Sequence, residues 1–241
     1  TINLVCNSER PKYILKNFFD KDDSELNICE KINCIEDVFL SKYITTINNN
    51  SIIYQYIEGD TLGNFIYGQF DSNFLNIIKS LVDQLYILER QNYYHLDINL
   101  NNIIVKDNKP YLIDFGTLTN KNDFIKKECY GSYGYIAPEF LFEKELVIDK
   151  FDVFSIGIII FQKLCGFNPF NMSKYYRLKC WFWCKDCSFE DRGKCLFNYM
   201  DKNAKFKNNK LFNIIINCIE YNPCKRYSLS KLKKELSEVN Y

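Results

Sequence analysis

The segment 93–120 constrains the fold of this chain more than any other stretch, because it combines closely spaced polar residues with a hairpin pattern. His95, the single histidine of the 241-residue chain, lies in it two positions before Asp97. Asn102 follows five positions after Asp97, and the sequence Asp-Phe-Gly begins twelve positions later at Asp114. Side chains of this kind bind Mg²⁺ through oxygen and orient a hydroxyl group for attack.

A β-hairpin is predicted between Asn102 and Asp114. The apolar runs 103–105 and 111–113 lie on either side of the turn-forming residues 107–109. Because a hairpin returns the chain to its starting point, the two polar residues at its open end are expected to lie together. They are candidate Mg²⁺ ligands, and Asp97 is the candidate carboxylate for orienting an attacking hydroxyl in phosphoryl transfer.

The patterning of the chain changes near residue 57. Before it, short β-type runs over 2–6, 13–16 and 51–57 accompany one helical pattern over 24–32. After it, apolar residues recur at helical spacing over 74–88, 152–164, 211–219 and 229–239. These patterns predict an α+β fold in which residues 1–57 form a small β-rich lobe and residues 58–241 a larger helical lobe.

Composition argues against several classes of function. The net charge of +1 gives no general attraction to nucleic acid or to an acidic membrane surface. No apolar run reaches the roughly 18 residues that span a bilayer, and the first residues lack a signal-peptide pattern. The eleven cysteines are mostly scattered singly, and their odd number favours a reducing, cytoplasmic compartment over a disulfide framework.

The spacings in segment 93–120 resemble motifs of the eukaryotic-type protein kinase family. The catalytic loop of that family reads H-R-D-x-x-x-x-N, which residues 95–102 match with Leu96 in place of the arginine. Its metal-binding motif D-F-G matches residues 114–116. Because the first pattern is short enough to recur by chance, the assignment depends on further motifs in the chain.

Three further segments match the family in the expected order. Residues 131–139 end in Ala-Pro-Glu, as the activation segment of the family does, and residues 152–170 resemble its central buried helix and the following loop. Residues 222–226 match its closing motif D-P-x-x-R. In the family, the arginine of that motif pairs with the Ala-Pro-Glu glutamate, which implies a pair between Arg226 and Glu139.

The resemblance covers residues 13–240 and implies a protein-kinase-like bilobal fold with ATP and Mg²⁺ as cofactors. It implies a serine/threonine kinase that acts on a protein substrate. Asp97 then orients the attacking hydroxyl and accepts its proton, while Asn102 and Asp114 bind Mg²⁺. Ser132 stands where serine/threonine-specific members carry threonine, which favours that specificity.

The lone histidine has a packing role in the family. His95 is implied to belong to a stack that includes Phe115 and to be anchored through Asp152. It is therefore expected to brace the catalytic loop, with no part as an acid or a base.

The N-terminal lobe matches the family less closely. Lys16 is the candidate for the lysine that holds the α- and β-phosphates, and Glu25 fits its helix partner better than Glu30 does. Ile14 replaces an alanine and is implied to form part of the adenine pocket. The Gly-rich loop G-x-G-x-x-G is absent; if Ile2 takes the valine position after that loop, the loop lies upstream of residue 1.

The absent Gly-rich loop, Ile14 and Asn99 leave another function open, and the catalytic loop has a second substitution at Leu96. Leu96 removes the arginine that holds a phosphorylated activation segment, and Asn99 replaces the lysine that helps to neutralise the transferred phosphate. The alternative to an active kinase is a pseudokinase, a nucleotide-binding or partner-regulating scaffold. A small-molecule kinase of the choline or aminoglycoside type shares the catalytic-loop pattern, but the Ala-Pro-Glu segment and the central-helix motif argue against it.

A cysteine cluster in the second lobe is a candidate zinc site. Its four cysteines have the spacing C-x(3)-C-x(2)-C-x(7)-C and are Cys180, Cys184, Cys187 and Cys195. Four thiolates suit tetrahedral Zn²⁺, although buried free thiols remain the alternative. Because this region is a docking surface in the family, segment 180–195 with Trp181 and Trp183 is also a candidate contact for a partner protein.

Overall fold

The computed structural model describes residues 2–7, 10–17, 23–47, 50–124, 131–142, 147–169 and 210–240. Helices and strands are numbered below in chain order within these ranges. Every helix that the described ranges contain falls short of the length and apolar character that a bilayer crossing requires.

The N-terminal part is an antiparallel sheet in the order β1-β2-β4-β3. Its strands are β1 (Ile2–Asn7), β2 (Arg10–Asn17), β3 (Tyr43–Ile47) and β4 (Ser51–Gln55). Ile14 pairs with Tyr54 of β4, and Lys16 pairs with Ile52. Because paired residues on neighbouring strands face the same side and side chains alternate along a strand, these four residues share one face of the sheet.

Helix α1 (Asp23–Ile32) follows β2 and confirms the helical pattern predicted for 24–32. Cys29 and Ile32 are buried on its inner side. Beyond the helix, the backbone of Ser41 and Phe39 exchanges hydrogen bonds with Leu112 of the C-terminal part. The side chain of Gln84 bridges the same region, since it accepts from Phe39 N and donates to Pro110 O at 2.8 and 2.9 Å.

The C-terminal part is mainly helical, and its core is continuous with the buried residues of the N-terminal part. Its helices are α2 (Ser72–Arg90), α3 (Pro138–Phe142), α4 (Phe151–Cys165), α5 (Lys210–Cys218) and α6 (Leu229–Ser237). Asp71 caps α2, because its side chain accepts from Phe74 N at 2.8 Å. The predicted all-round burial of α4 is confirmed, since twelve of its 15 residues are buried.

Five short strands of the described ranges accompany these helices: β5 (Asp60–Thr61), β6 (Tyr93–Tyr94), β7 (Ile103–Lys106), β8 (Lys109–Leu112) and β9 (Thr119–Asn120), which pairs with β6. The predicted hairpin is the β7–β8 pair. Its turn residues Asp107 and Asn108 have φ angles of 49° and 59°. Both are left-handed, which is the conformation of a type I′ turn and suits Asp and Asn.

Helices α4 and α5 approach each other closely at Gly157. A Cβ atom at this position would lie 2.6 Å from Cys218 Cβ and 2.8 Å from Ile219 Cγ2. These separations are too short for carbon atoms, so the contact of the two helices requires glycine here.

Candidate active site

Lys16, near the end of β2, lies between two carboxylates. Its Nζ atom is 2.8 Å from Glu25 Oε1, 2.9 Å from Glu25 Oε2 and 2.8 Å from Asp114 Oδ1. Glu25 is buried, whereas Lys16 and Asp114 keep contact with solvent. The ion pair predicted between Lys16 and Glu25 is therefore present. Lys16 also pairs with Asp114, which lies 98 positions later in the chain.

Lys16 and Asp114 each have a pKa outside the ordinary range. Burial alone lowers the pKa of Lys16, but the carboxylates of Glu25 and Asp114 outweigh it and hold that pKa above its ordinary value. Burial alone raises the pKa of Asp114, but the Lys16 ammonium and the Gly116 N–H outweigh it and hold that pKa below its ordinary value. Both groups therefore stay charged at neutral pH.

Glu25 has a second hydrogen-bond donor, which the sequence patterns did not predict. The hydroxyl of Tyr54 donates to Glu25 Oε1 over 2.6 Å, and its oxygen lies 3.2 Å from Cys29 Sγ. Two signals were available in the sequence. Strand alternation in β4 places Tyr54 on the buried face with Ile52, and the four-residue spacing of Glu25 and Cys29 places both on one side of α1.

The β7–β8 hairpin brings Asn102 and Asp114 to the same end, because Ile113 N donates to Asn102 O at 3.0 Å. Asp114 has a φ of 61°, an uncommon left-handed conformation that stores local strain in a non-glycine residue. At Gly116, a Cβ atom would lie 3.3 Å from Glu25 Oε2 and 3.5 Å from Lys16 Nζ. Glycine at this position therefore leaves room for Lys16, Glu25 and Asp114, which together form the charged cluster.

Asp97 lies in the loop between β6 and β7, and three amides donate to its carboxylate. Asn102 Nδ2 donates to Oδ2 at 2.8 Å, while Asn99 Nδ2 and Ser132 N donate to Oδ1 at 2.9 and 2.6 Å. Asn102 Nδ2 also donates to Asp97 O at 3.0 Å, so two acceptors fix the orientation of this amide. Asn102 Oδ1 takes no part in these bonds, which suits the predicted role of Asn102 as a Mg²⁺ ligand.

Asn99 joins the catalytic loop to the activation segment through neutral bonds. Its Nδ2 atom is 3.0 Å from Ser132 Oγ, and its Oδ1 accepts from the backbone N–H groups of Asn101 and Asn102. Within the ranges that the structure describes, no lysine or arginine forms an ion pair with Asp97. The carboxylate is therefore held by amides at the position where the family carries a lysine.

The catalytic loop is anchored to α4 through Asp152. The carboxylate of Asp152 accepts from His95 N at 3.0 Å and from Leu96 N at 2.9 Å. Burial raises the pKa of Asp152, and the donors from His95 and Leu96 oppose that rise. The predicted anchoring of His95 is thus present, but it passes through the backbone.

The imidazole of His95 is fully buried and packs edge-on against Phe115, with ring centroids 6.0 Å apart. Neither of its ring nitrogens has a hydrogen-bond partner among the residues described. The contact with Phe115 agrees with the packing role predicted for this residue.

The described part of the activation segment, 131–142, lies against the catalytic loop and α4. Gly131 has a φ of 87°, and a Cβ atom there would lie 2.8 Å from Leu96 O. The backbone oxygen of Tyr135 accepts from Ser155 Oγ, and its hydroxyl donates to Gln162. Packing and hydrogen bonds therefore hold this part of the segment against the catalytic loop and α4.

Ile14 lies two positions before Lys16 on the same face of the sheet and pairs with Leu4 and Tyr54. That placement agrees with contact between Ile14 and a base bound beside Lys16. The predicted zinc and docking residues, Cys180, Trp181, Trp183, Cys184, Cys187 and Cys195, lie outside the described residues. Inside the described ranges, no group of three or more His, Cys, Asp or Glu side chains could hold a metal ion.

Comparison with known proteins agrees with this geometry. The family model described as "Protein kinase domain" matches residues 11–236. A serine/threonine-protein kinase of Schizosaccharomyces pombe is 30% identical over 152 residues, which cover 60% of this chain and 34% of the relative. A serine/threonine-protein kinase of Drosophila melanogaster is 31% identical over 157 residues, covering 61% and 21%.

A third relative carries a different kinase name. The maternal embryonic leucine zipper kinase of Danio rerio is 26% identical over 158 residues, which cover 63% of this chain and 22% of the relative. The matched region thus spans between about a fifth and a third of the length of these curated relatives. The comparisons therefore concern one domain of larger proteins.

Proposed function

The chain belongs to the protein kinase family, and from that premise we propose that it transfers the γ-phosphate of ATP to serine or threonine hydroxyls of a protein substrate. The observation that supports this most directly is the contact of Lys16 Nζ with both Glu25 and Asp114 at 2.8 Å. A cation held this way binds phosphate oxygens without moving, next to a carboxylate that suits a metal ion.

Each remaining residue of the site has a proposed part. Asp97 orients the attacking hydroxyl and takes its proton, and Asn102 and Asp114 hold Mg²⁺. The bound metal neutralises charge on the triphosphate, which is the chemistry it supplies in phosphoryl transfer. Ile14 contacts the adenine. Ser132, bonded to Asn99 beside Asp97, supports serine/threonine specificity.

We further propose that the chain is one kinase domain whose lobes meet near residue 57, with residues 1–57 in the small lobe and 58–241 in the large one. This division follows the end of β4 at Gln55, after which the two-residue strand β5 and a short turn lead to α2. The charged cluster joins the two lobes, because Lys16 and Glu25 belong to the first and Asp114 to the second.

A second candidate function is a pseudokinase scaffold. The observation that favours it is the neutral surrounding of Asp97, where Asn99 supplies an amide instead of a cation. Without that charge the transferred phosphate is less well neutralised, so nucleotide binding with little transfer is the expected behaviour of such a scaffold.

One assay separates the two functions. The chain is incubated with radiolabelled ATP, Mg²⁺ and a generic basic protein, beside the variants Asp97→Asn and Asp114→Asn. Label in the protein substrate that depends on both aspartates supports the kinase. Equal label with the variants assigns it to a contaminant, and nucleotide binding without label supports the scaffold.

The cysteine segment 180–195 is proposed as a structural zinc site that also presents a docking surface for a partner protein. The proposal depends on the spacing of the four cysteines. Elemental analysis of purified protein tests it: about one zinc per chain, lost on Cys184→Ser, is the expected result. Protein without stoichiometric zinc under metal-replete conditions leaves these residues as free thiols.

A further inference from the structure

Tyr54 is an uncharged residue that contacts the charged cluster through Glu25. It is 6% exposed, and the register of β2 and β4 places it on the face of the sheet that carries Lys16. The Tyr54 hydroxyl donates to Glu25 Oε1 over 2.6 Å. Glu25 Oε1 also accepts from Lys16 Nζ. Glu25 is therefore held from two directions by two donors.

The number of hydrogens on each group decides which atom donates in each of these hydrogen bonds. A carboxylate only accepts, so the single hydrogen of the Tyr54 hydroxyl points to Glu25. The thiol of Cys29, 3.2 Å from the Tyr54 oxygen, must then be the donor of that contact. Burial raises the pKa of Cys29 to about 12 and raises that of Tyr54, so both groups keep their protons at neutral pH.

The bonds form a directed chain from Cys29 through Tyr54 to Glu25, which also accepts from Lys16. Each donor in such a chain polarises the next, which strengthens the bonds in a buried environment. Glu25 and Cys29 lie four positions apart on the 10-residue helix α1, so Tyr54 contacts this short helix at two successive turns. The ring of Tyr54 also packs 6.1 Å from that of Phe115.

We propose that Tyr54 is a positioning residue: it fixes α1 and the Glu25 carboxylate against the sheet, and thereby fixes the Lys16 ammonium that binds phosphate. The part that concerns phosphate binding rests on the proposed kinase function. The bonds that join Tyr54 to Glu25 and Cys29 of α1, called the tether below, concern only this chain's own groups. Tyr54 acts through Glu25 and does not touch the transferred group.

The test is a double-mutant cycle with Tyr54→Phe and Glu25→Gln. Tyr54→Phe keeps the ring and removes only the hydroxyl. We expect kcat/KM for ATP to fall roughly 10- to 100-fold, the effect of a lost hydrogen bond to a charged group. The KM for the protein substrate should stay unchanged. In the Glu25→Gln background the same replacement should have almost no further effect, because the residue through which it acts is already altered.

Tyr43→Phe is the matched control. Tyr43 lies on the adjacent strand β3, and its hydroxyl contacts Thr46 Oγ1 at 3.0 Å. Its loss should change kcat/KM by less than about twofold, as for replacements away from such a cluster. Equal effects of Tyr54→Phe and Tyr43→Phe, or additive effects of Tyr54→Phe and Glu25→Gln, would overturn the proposal.

A second readout does not need phosphate transfer. The rate at which acetic anhydride acylates Lys16 is compared by mass spectrometry with that of exposed Lys234 in the same chain. We expect Tyr54→Phe to raise the relative rate for Lys16 roughly tenfold, as for one lost hydrogen bond to a charged group, because Glu25 then holds the ammonium less firmly. In the Glu25→Gln background the same replacement should leave the rate unchanged. If the wild-type chain transfers no phosphate, the kinase proposal fails while this labelling still decides the tether. Unaltered Lys16 labelling in Tyr54→Phe overturns the tether itself.

Discussion

Arg226 and Glu139 form a bidentate ion pair from which solvent is excluded. Arg226 Nη1 lies 2.7 Å from Glu139 Oε1, Nη2 lies 2.8 Å from Oε2, and neither side chain has any exposed surface. The guanidinium also donates to the backbone oxygens of Lys150 and Glu220 and lies 5.0 Å from the ring of Phe154. The pair implied by the family motifs is thus confirmed, and it ties α3 to the connection between α5 and α6.

We expect Glu139→Gln to lower the free energy of unfolding by about 3–5 kcal/mol, because it leaves a buried guanidinium without its counter-charge. Urea unfolding measures the change. The matched control is Asp149→Asn, which breaks the exposed pair with Lys121 and should cost less than about 1 kcal/mol. A similar small loss in both variants would contradict the assigned importance of the buried pair.

We expect Asp114→Ala to abolish Mg²⁺-dependent ATP binding. The metal loses its charged ligand, and Lys16 loses one of its two carboxylates. Calorimetric titration with and without Mg²⁺ measures the effect, and thermal melting checks that the variant folds. Unchanged ATP affinity in the presence of Mg²⁺ would show that another group binds the metal.

We expect Asp97→Asn to reduce kcat by about 100- to 10,000-fold, the usual contribution of a positioned general base. The carboxylate acts on the attacking hydroxyl in the transition state, so ATP affinity should change little. Initial rates and calorimetry on the same preparation separate the two effects. Turnover within a few-fold of wild type assigns catalysis to another group.

The charged cluster predicts a pH dependence of stability. The folded pKa of Asp114 lies below its ordinary value, so its contribution is present above about pH 4 and is lost as the pH falls through the folded value. The folded pKa of Lys16 lies above its ordinary value, so its contribution is present below about pH 10 and is lost at higher pH.

Melting temperatures across the pH range measure both contributions. Wild type should lose stability toward each extreme, and Asp114→Asn should show a smaller loss on the acid side. An acid limb that is identical in wild type and Asp114→Asn would contradict the assignment to this carboxylate.

We expect any kinase activity to be independent of activation-segment phosphorylation. Leu96, which replaces the phosphate-binding arginine of the family, is 6% exposed and offers no charge. The candidate acceptors have internal contacts: Thr117 Oγ1 donates to His95 O at 2.9 Å, and Thr119 is buried. Ser132 Oγ contacts Asn99, and Tyr130 lies outside the described residues.

Initial rates before and after phosphatase treatment measure this independence. Rates that agree within error are the expected outcome. A large loss that rephosphorylation within 114–139 restores would assign the missing arginine's role to another basic residue, with Lys121, Lys126 and Lys127 as candidates.

Local patterns were enough to predict the catalytic loop and the hairpin. The turn at Asp107 and Asn108 uses residues that tolerate left-handed backbone, and the hairpin it forms brings Asn102 to Asp114. The partner of Lys16 also followed from a local signal, because the apolar spacing in α1 fits Glu25 better than Glu30. Interactions between residues close in sequence determine these features.

Other features depend on pairings between distant residues, and the sequence alone did not predict them. The bond from Tyr54 to Glu25 requires the register of β4 against β2, which no local pattern specifies. Strand β3 was not predicted: Ile44 and Ile47 are exposed, so its apolar residues do not mark a buried face.

The close approach of α4 and α5 at Gly157 has a consequence for how this sequence can evolve. A single added methyl group would meet Cys218 Cβ at 2.6 Å, although neither residue belongs to the candidate active site. We therefore expect this position to tolerate few replacements for a reason of shape: the restriction comes from the separation of two helices and is independent of the chemistry beside Asp97. A variant with a larger residue at position 157 would need a smaller or displaced residue at Cys218.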